Sequence, residues 1–102
     1  MKTIMVQYKT TETHANANEA LVRAVFAELA ASGPPGIRYA SYRLADGLTF
    51  LHIANIDTPD ENPLLELGSF KSFQKELRAR CAEPPVITEV AAIGAYAPAA
   101  VS

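Results

Sequence analysis

The sequence predicts an α+β domain whose elements follow the order strand, helix, two strands, helix, strand. Three observations support this order. Apolar side chains alternate with polar ones near the start of the chain, which is the period of a strand. Two longer stretches instead repeat apolar residues every three or four positions, as amphipathic helices do. Glycine and proline clusters separate these segments and predict the turns.

The first strand is predicted over residues 3–9, because Ile4, Val6 and Tyr8 fall on one face. The first helix follows a polar stretch in which Asn16 and Glu19 have the spacing of a capping box. Its apolar stripe extends to about Ser32: Leu21, Val22, Val25, Phe26, Leu29 and Ala30. The Gly-Pro-Pro-Gly run at 33–36 ends this helix, since glycine accepts the left-handed cap and proline cannot continue the helix.

A hairpin is predicted next, with strands at 37–44 and 48–56 around the Asp46-Gly47 turn. A polar loop to Pro63 and a short leucine-rich turn lead to a second helix over 69–82, with Phe70, Phe73, Leu77 and Cys81 on one face. Glu83-Pro84-Pro85 ends that helix, and the last strand runs from Val86 to about Ala95.

This element order predicts the ferredoxin-like βαββαβ arrangement, a four-stranded antiparallel sheet with both helices on one face. The third strand is nevertheless apolar on both faces, with Phe50, Ala54 and Ile56 on one side and Leu51 and Ile53 on the other. The last strand behaves similarly. Because two helices cover only one face, we expect two subunits to form a homodimer through the open face of the sheet.

Composition narrows the classes of function. The 102 residues carry a net charge of −2, which gives no reason to expect a nucleic-acid partner, since such a partner would need a basic face. No apolar run reaches the ~20 residues of a membrane span. The single cysteine excludes an internal disulfide. We therefore expect a cytoplasmic protein with one domain over residues 1–97, followed by a flexible tail at 98–102.

The element order, the doubly apolar third strand and the Pro-Pro pair before the last strand make residues 2–97 resemble the dimeric α+β barrel proteins. The nearest group is the antibiotic-biosynthesis-monooxygenase-like superfamily. The resemblance implies a ligand pocket between helices and sheet, in a group associated with cofactor-independent oxygenases, haem-degrading enzymes and members of no known activity. The chain departs from the group in two respects. It has no tryptophan, whereas several active members use one near the pocket. Residues 69–82 contain no histidine, whereas the haem-degrading members place a histidine ligand on that helix, which argues against a haem role.

His52 is the leading candidate for a catalytic role, because it lies in mid-strand on an apolar face. A histidine there can act as a general base or orient a phenol. The alternative is a core histidine satisfied by a neighbouring hydroxyl or carbonyl group. Tyr8 is the second catalytic candidate, since the first strand lies beside the third in this topology and its hydroxyl can approach His52.

A further set of residues is predicted to contact a substrate: Tyr39, Tyr42, Phe50, Asn55 and Phe73. Tyr39 and Tyr42 are three apart on a strand and point to opposite faces, so at most one of them lines a given pocket. Asn55 lies on the face opposite His52 and is open to a role at the dimer interface.

No functional site is predicted at the other reactive side chains. Cys81 is predicted to be a core residue of the second helix. His14 lacks partners at metal-ligand spacing, and the acidic loop of Asp57, Asp60 and Glu61 lacks calcium-loop spacing. No glycine-rich phosphate loop or nucleophile elbow occurs. The sequence thus predicts neither a metal nor a cofactor.

Two functions remain open. One is a cofactor-independent monooxygenase that acts on a small phenol or hydroquinone. The other is a non-catalytic dimeric module that binds a small apolar ligand or supports assembly.

Overall fold

The computed structural model describes residues 1–96. Its four strands are β1 (Lys2–Thr10), β2 (Ile37–Arg43), β3 (Thr49–Ile56) and β4 (Cys81–Val90). The helices are α1 (Ala15–Ser32), α2 (Gly68–Gln74) and α3 (Leu77–Arg80), with short 3-10 turns at Glu12–His14 and Pro63–Glu66. The predicted tail at 98–102 lies outside the described residues.

The strands form one antiparallel sheet in the order β2-β3-β1-β4. The predicted α+β, ferredoxin-like class is therefore confirmed, as is the placement of β1 beside β3. The helices bury one face of this sheet. The core combines Tyr8 and Phe50 from the sheet with residues of α1, α2 and the preceding turn: Val22, Val25, Leu64, Leu67, Phe70 and Phe73.

The start of α1 differs from the capping-box prediction. The helix begins at Ala15, directly after the 3-10 turn, and its cap residue makes no side-chain hydrogen bond to the helix. The Asn16 side chain instead accepts a hydrogen bond from Arg43. At the other end the prediction is confirmed, because Gly33 has φ 53° and donates its N–H to the Leu29 carbonyl.

The single helix predicted over 69–82 is wrong. It breaks after Gln74, where Lys75 is extended and Glu76 adopts a left-handed φ of 61°. The side chain of Arg80 donates to the carbonyls of Phe73 and Lys75, so the end of α2 is capped by a charged group. The sequence spacing did not reveal this break, since neither glycine nor proline marks it.

The last strand also differs from the prediction, because β4 starts at Cys81 and ends at Val90. Cys81 is accordingly a half-buried strand residue packed against the core, not a helical one. The Pro84-Pro85 pair lies inside β4, where the pairing with β1 shifts register between Gln7 and Lys9. Proline is tolerated there because β4 is an edge strand and the ladder is already interrupted.

Candidate functional site

His52 occupies the middle of β3 on the helix-covered face, and the strand register brings two tyrosines to it. Tyr8 of β1 pairs with Phe50, two residues before His52. Tyr39 of β2 pairs with Ala54, two residues after it. Both tyrosines are therefore diagonal neighbours of His52 across adjacent strands, a separation that aromatic side chains can span.

The rings of these residues form a near-parallel series across the sheet. The His52 ring centre lies 5.3 Å from that of Tyr8 and 5.9 Å from that of Tyr39, with interplanar angles of 16° and 8°. Phe50 continues the series beyond Tyr8, and Phe26 of α1 continues it beyond Tyr39. His52 is thus held by a ring on each side, which fixes the orientation of its imidazole.

Both ring nitrogens of His52 have hydrogen-bond partners. The Tyr8 hydroxyl lies 2.8 Å from Nε2. On the other side, Nδ1 lies 2.5 Å from the Ser41 hydroxyl and 3.0 Å from the Tyr39 hydroxyl. Ser41 contributes because it pairs directly with His52 across β2 and β3.

A second part of the network lies behind Tyr8. Asn18 of α1, which is fully buried, donates from Nδ2 to the Tyr8 oxygen at 2.8 Å. Arg80, only 7% exposed, donates from Nε to the Asn18 Oδ1 at 3.1 Å. The buried polar chain therefore runs from Arg80 through Asn18 and Tyr8 to His52, as buried polar groups require.

Burial controls the protonation of these groups. It lowers the pKa of His52 from 6.5 to about 4, because the charged imidazolium loses its hydration. It raises the pKa of the Tyr8 and Tyr39 hydroxyls for the same reason. At neutral pH the site therefore contains a neutral histidine between neutral phenols.

A pocket of about 470 Å³ opens between the sheet and the short helices, and His52 and Tyr39 form part of its wall. Most of the remaining wall is apolar and comes from β1, β3, the second 3-10 turn and α2: Ile4, Val6, Ala54, Leu64, Phe70 and Phe73. Its exposed members include Gln74, Glu76 and Arg78. An apolar cavity of this size with a few polar groups suits a small organic ligand.

The predicted site residues divide into two groups. His52, Tyr39 and Phe73 line the pocket together. Tyr8 contacts His52 but is buried behind it, outside the pocket wall.

The other three predicted substrate contacts lie outside the wall of this pocket. Phe50 is buried in the core on the far side of Tyr8. Tyr42 is 55% exposed, and its neighbours Tyr39 and Ser41 flank His52, so it points to the opposite face. Asn55 shares that open face and contacts the hydroxyl of Thr3 at 2.7 Å.

Asn18, Ser41 and Arg80 belong to the network but were missed in the sequence. Asn18 stands in a polar stretch that resembles a helix start, and Arg80 stands in a basic stretch that resembles a solvated helix face. Ser41 alone had a usable signal, since the hairpin register places it opposite His52.

Two further features were sought within residues 1–96, a metal-binding cluster and a membrane-spanning helix. No group of three or more His, Cys, Asp or Glu side chains is arranged to hold a metal ion. No helix in this part of the chain is long and apolar enough to cross a membrane.

Solved structures with the same fold include proteins described as antibiotic biosynthesis monooxygenases. No protein-family model matches the sequence, and no curated protein matches it significantly. The similarity to known proteins therefore rests on structure alone.

Three solved structures illustrate this similarity. A Nitrosomonas europaea protein provisionally named an antibiotic biosynthesis monooxygenase superposes with a TM-score of 0.76 at 15% identity, over 92% of this chain and 100% of its own. The protein Rv0793 of Mycobacterium tuberculosis gives 0.73 at 17% identity, over 94% and 98%. A variant of SnoaB, a cofactor-independent oxygenase from Streptomyces nogalater, gives 0.66 at 18% identity, over 92% and 94%. At these identities the comparison establishes the fold.

Proposed function

We propose that the protein is a small cofactor-independent monooxygenase that oxidises a phenol or hydroquinone in the pocket beside His52. The observation that carries this proposal is the pocket itself, an apolar slot whose polar residues include a neutral histidine and a phenol. Similarity of fold to SnoaB, named as a cofactor-independent oxygenase, supports the reaction class.

The reaction requires an electron-rich substrate, because without a cofactor the substrate must supply every electron. A phenol with a free para carbon meets this condition. It reacts with O₂ to give the para-quinone and one water: a C–O bond forms at the para carbon, the O–O bond breaks, and the ring C–H and phenolic O–H bonds are lost. The apolar walls would hold the ring, while Tyr39, which His52 holds in place, would orient its oxygen.

His52 has a defined role in this proposal. With a pKa of about 4 it is a weak base, so it contributes mainly by holding and orienting hydrogen-bonded groups. Tyr8 is a positioning residue, since it reaches the pocket only through His52.

Oxygen uptake with a panel of phenols and hydroquinones tests the proposal. We expect turnover in the wild type and its loss in His52→Ala and Tyr39→Phe, with Tyr42→Phe on the opposite face as the matched control. If no member of the panel consumes oxygen above the uncatalysed rate, the monooxygenase proposal fails. If His52→Ala turns over as the wild type does, the assignment of His52 fails.

A second candidate is a non-catalytic module that binds a small apolar ligand or supports assembly. It is favoured by one observation, that both nitrogens of His52 are already hydrogen-bonded within the protein. This candidate predicts that aromatic ligands raise the melting temperature without turnover. Oxygen consumption that depends on His52 would exclude it.

We also propose that residues 1–97 form one domain that works as a cytoplasmic homodimer through the open face of the sheet. Val86 and Tyr42 on that face are 63% and 55% exposed, and Met5, Leu51 and Ile53 are only half-buried. Such a patch is typical of an association surface.

Light scattering of the purified protein tests the dimer. We expect dimers at micromolar concentration and a shift towards monomers in Val86→Asp. Leu65→Asp is the control, because Leu65 is 52% exposed but lies on the helix side of the molecule. A wild-type protein that is monomeric at micromolar concentration contradicts the proposal.

A further inference from the structure

The buried series of hydrogen bonds that ends at His52 has a fixed donor-to-acceptor direction, and it begins at Arg80. A guanidinium group only donates hydrogen bonds and does not lose its proton in proteins. Arg80 is also fixed in place, since its two terminal nitrogens donate to the carbonyls of Lys75 and Phe73 at 3.1 and 2.6 Å. Its Nε must therefore face an acceptor, which is the Asn18 Oδ1.

This contact sets the orientation of every group that follows. With its oxygen towards Arg80, Asn18 presents its NH₂ group to Tyr8 and donates to the hydroxyl oxygen. The Tyr8 proton is then directed to its remaining partner, the His52 Nε2 at 2.8 Å. A neutral imidazole that accepts at Nε2 carries its proton on Nδ1.

The same logic extends to the pocket. The Nδ1 proton of His52 points to the hydroxyls of Ser41 and Tyr39, so Nδ1 cannot also accept from them. At most one hydroxyl can then donate to the other, and neither side chain has another hydrogen-bond partner among the described residues. The hydrogen bond between Ser41 and Tyr39 lowers the pKa of Tyr39, so Ser41 is its donor and the Tyr39 oxygen its acceptor. The Tyr39 proton then stays unused, and Tyr39 lines the pocket.

We propose that Asn18 and Arg80 are positioning residues that hold His52 in its Nδ1–H tautomer, so that the pocket presents a hydrogen-bond donor and takes ligands with an acceptor oxygen, such as a carbonyl or a phenolate. The part of this proposal that concerns ligands rests on the proposed function, in which this pocket is the binding site. The part that concerns the tautomer of His52 does not depend on that function.

The tautomer is measured by ¹⁵N NMR of the imidazole nitrogens, which separates protonated from unprotonated positions. The chain has two histidines, and His14→Gln assigns the signals. We expect the wild type to be protonated at Nδ1 of His52 at neutral pH. A wild type protonated at Nε2, or an even mixture, overturns the proposal.

Asn18→Asp provides the sharpest variant, because it is isosteric and reverses the direction of the hydrogen bonds between this position and His52. The new carboxylate pairs with Arg80 and can only accept from Tyr8, so Tyr8 must accept from His52 and the proton moves to Nε2. The control is Asn16→Asp, the same change at an exposed position of α1. If Asn18→Asp does not fold, Tyr8→Phe replaces it and is expected to give mixed tautomers. If His52 stays protonated only at Nδ1 in the folded variant, the proposal that these hydrogen bonds set its tautomer is overturned.

The part that concerns ligands is tested with acetophenone and α-methylstyrene, which have nearly the same shape but differ in the carbonyl oxygen. We expect the ratio of their affinities to fall about fivefold in Tyr39→Phe, the usual effect of one lost hydrogen bond. The ratio should stay constant in Tyr42→Phe. An unchanged affinity ratio in Tyr39→Phe overturns the proposed preference for ligands with an acceptor oxygen, whatever the outcome of the oxygen-uptake assay.

Discussion

Mild acid is expected to destabilise the protein through His52. In the native state its pKa is about 4, whereas an unfolded histidine titrates near 6.5. The native pKa is lowered, so the stabilisation is complete above the unfolded value and is lost as the pH falls towards the native one. Within this window the unfolded chain binds a proton that the native protein does not.

The magnitude follows from the same two values. At about 1.4 kcal/mol for each tenfold change in proton affinity, the lowering from 6.5 to about 4 corresponds to about 3 kcal/mol of unfolding free energy. Roughly 2 kcal/mol of this should be lost between about pH 7 and about pH 5, where only the unfolded form takes up the proton. Most of that interval lies above the range in which carboxylates titrate.

Urea denaturation at a series of pH values measures this effect. We expect the free energy of unfolding of the wild type to fall with pH and that of His52→Gln to change much less. The control is His14→Gln, which alters the other histidine and should keep the wild-type dependence. Parallel curves for the wild type and His52→Gln would refute the argument that His52 is buried and neutral.

Three further predictions concern stability. Arg80→Met should cost about 3 kcal/mol in urea denaturation, because it leaves two carbonyls and Asn18 without a donor; a loss below about 1 kcal/mol contradicts this. Asp46→Asn should melt at lower temperature than the wild type at neutral pH. The difference should disappear as the pH falls from 3.8 through about 2, since hydrogen bonds from Thr49 and Leu48 lower the pKa of Asp46 to about 2. Glu76→Gly should leave stability unchanged or raise it by up to about 1 kcal/mol, because glycine adopts the left-handed φ without strain. Lys75→Gly, at an extended position, should lower it.

The sheet could be predicted from the sequence because its alternating pattern is local. The Tyr8–His52 contact followed from that pattern, since the βαββαβ topology places β1 beside β3. The hairpin register likewise separates Tyr39 from Tyr42 by face. These relations depend on strand period and topology, both of which periodicity reveals.

The rest of the site depends on contacts between distant segments, which no local pattern records. Asn18 and Arg80 are 62 positions apart yet share a buried hydrogen bond. The same arginine caps α2, so the break at Lys75 and Glu76 is stabilised by a side chain beyond it. Phe70, Phe73, Leu77 and Cys81 kept helical spacing across this break, which is why a continuous helix was predicted.

The site combines a polar part held by the sheet and a long helix with a pocket wall made of short helical segments. His52, Tyr8 and Tyr39 are held by the sheet, and Asn18 stands on a helix of 18 residues. The facing wall is built from a 3-10 turn and helices of 7 and 4 residues, each too short to be stable alone. Local opening should therefore begin in that wall, and its amide hydrogens should exchange before those of β1 and β3. If the pocket binds ligands as proposed, its short-helix side would adapt to molecules of different shape while the polar end keeps its geometry.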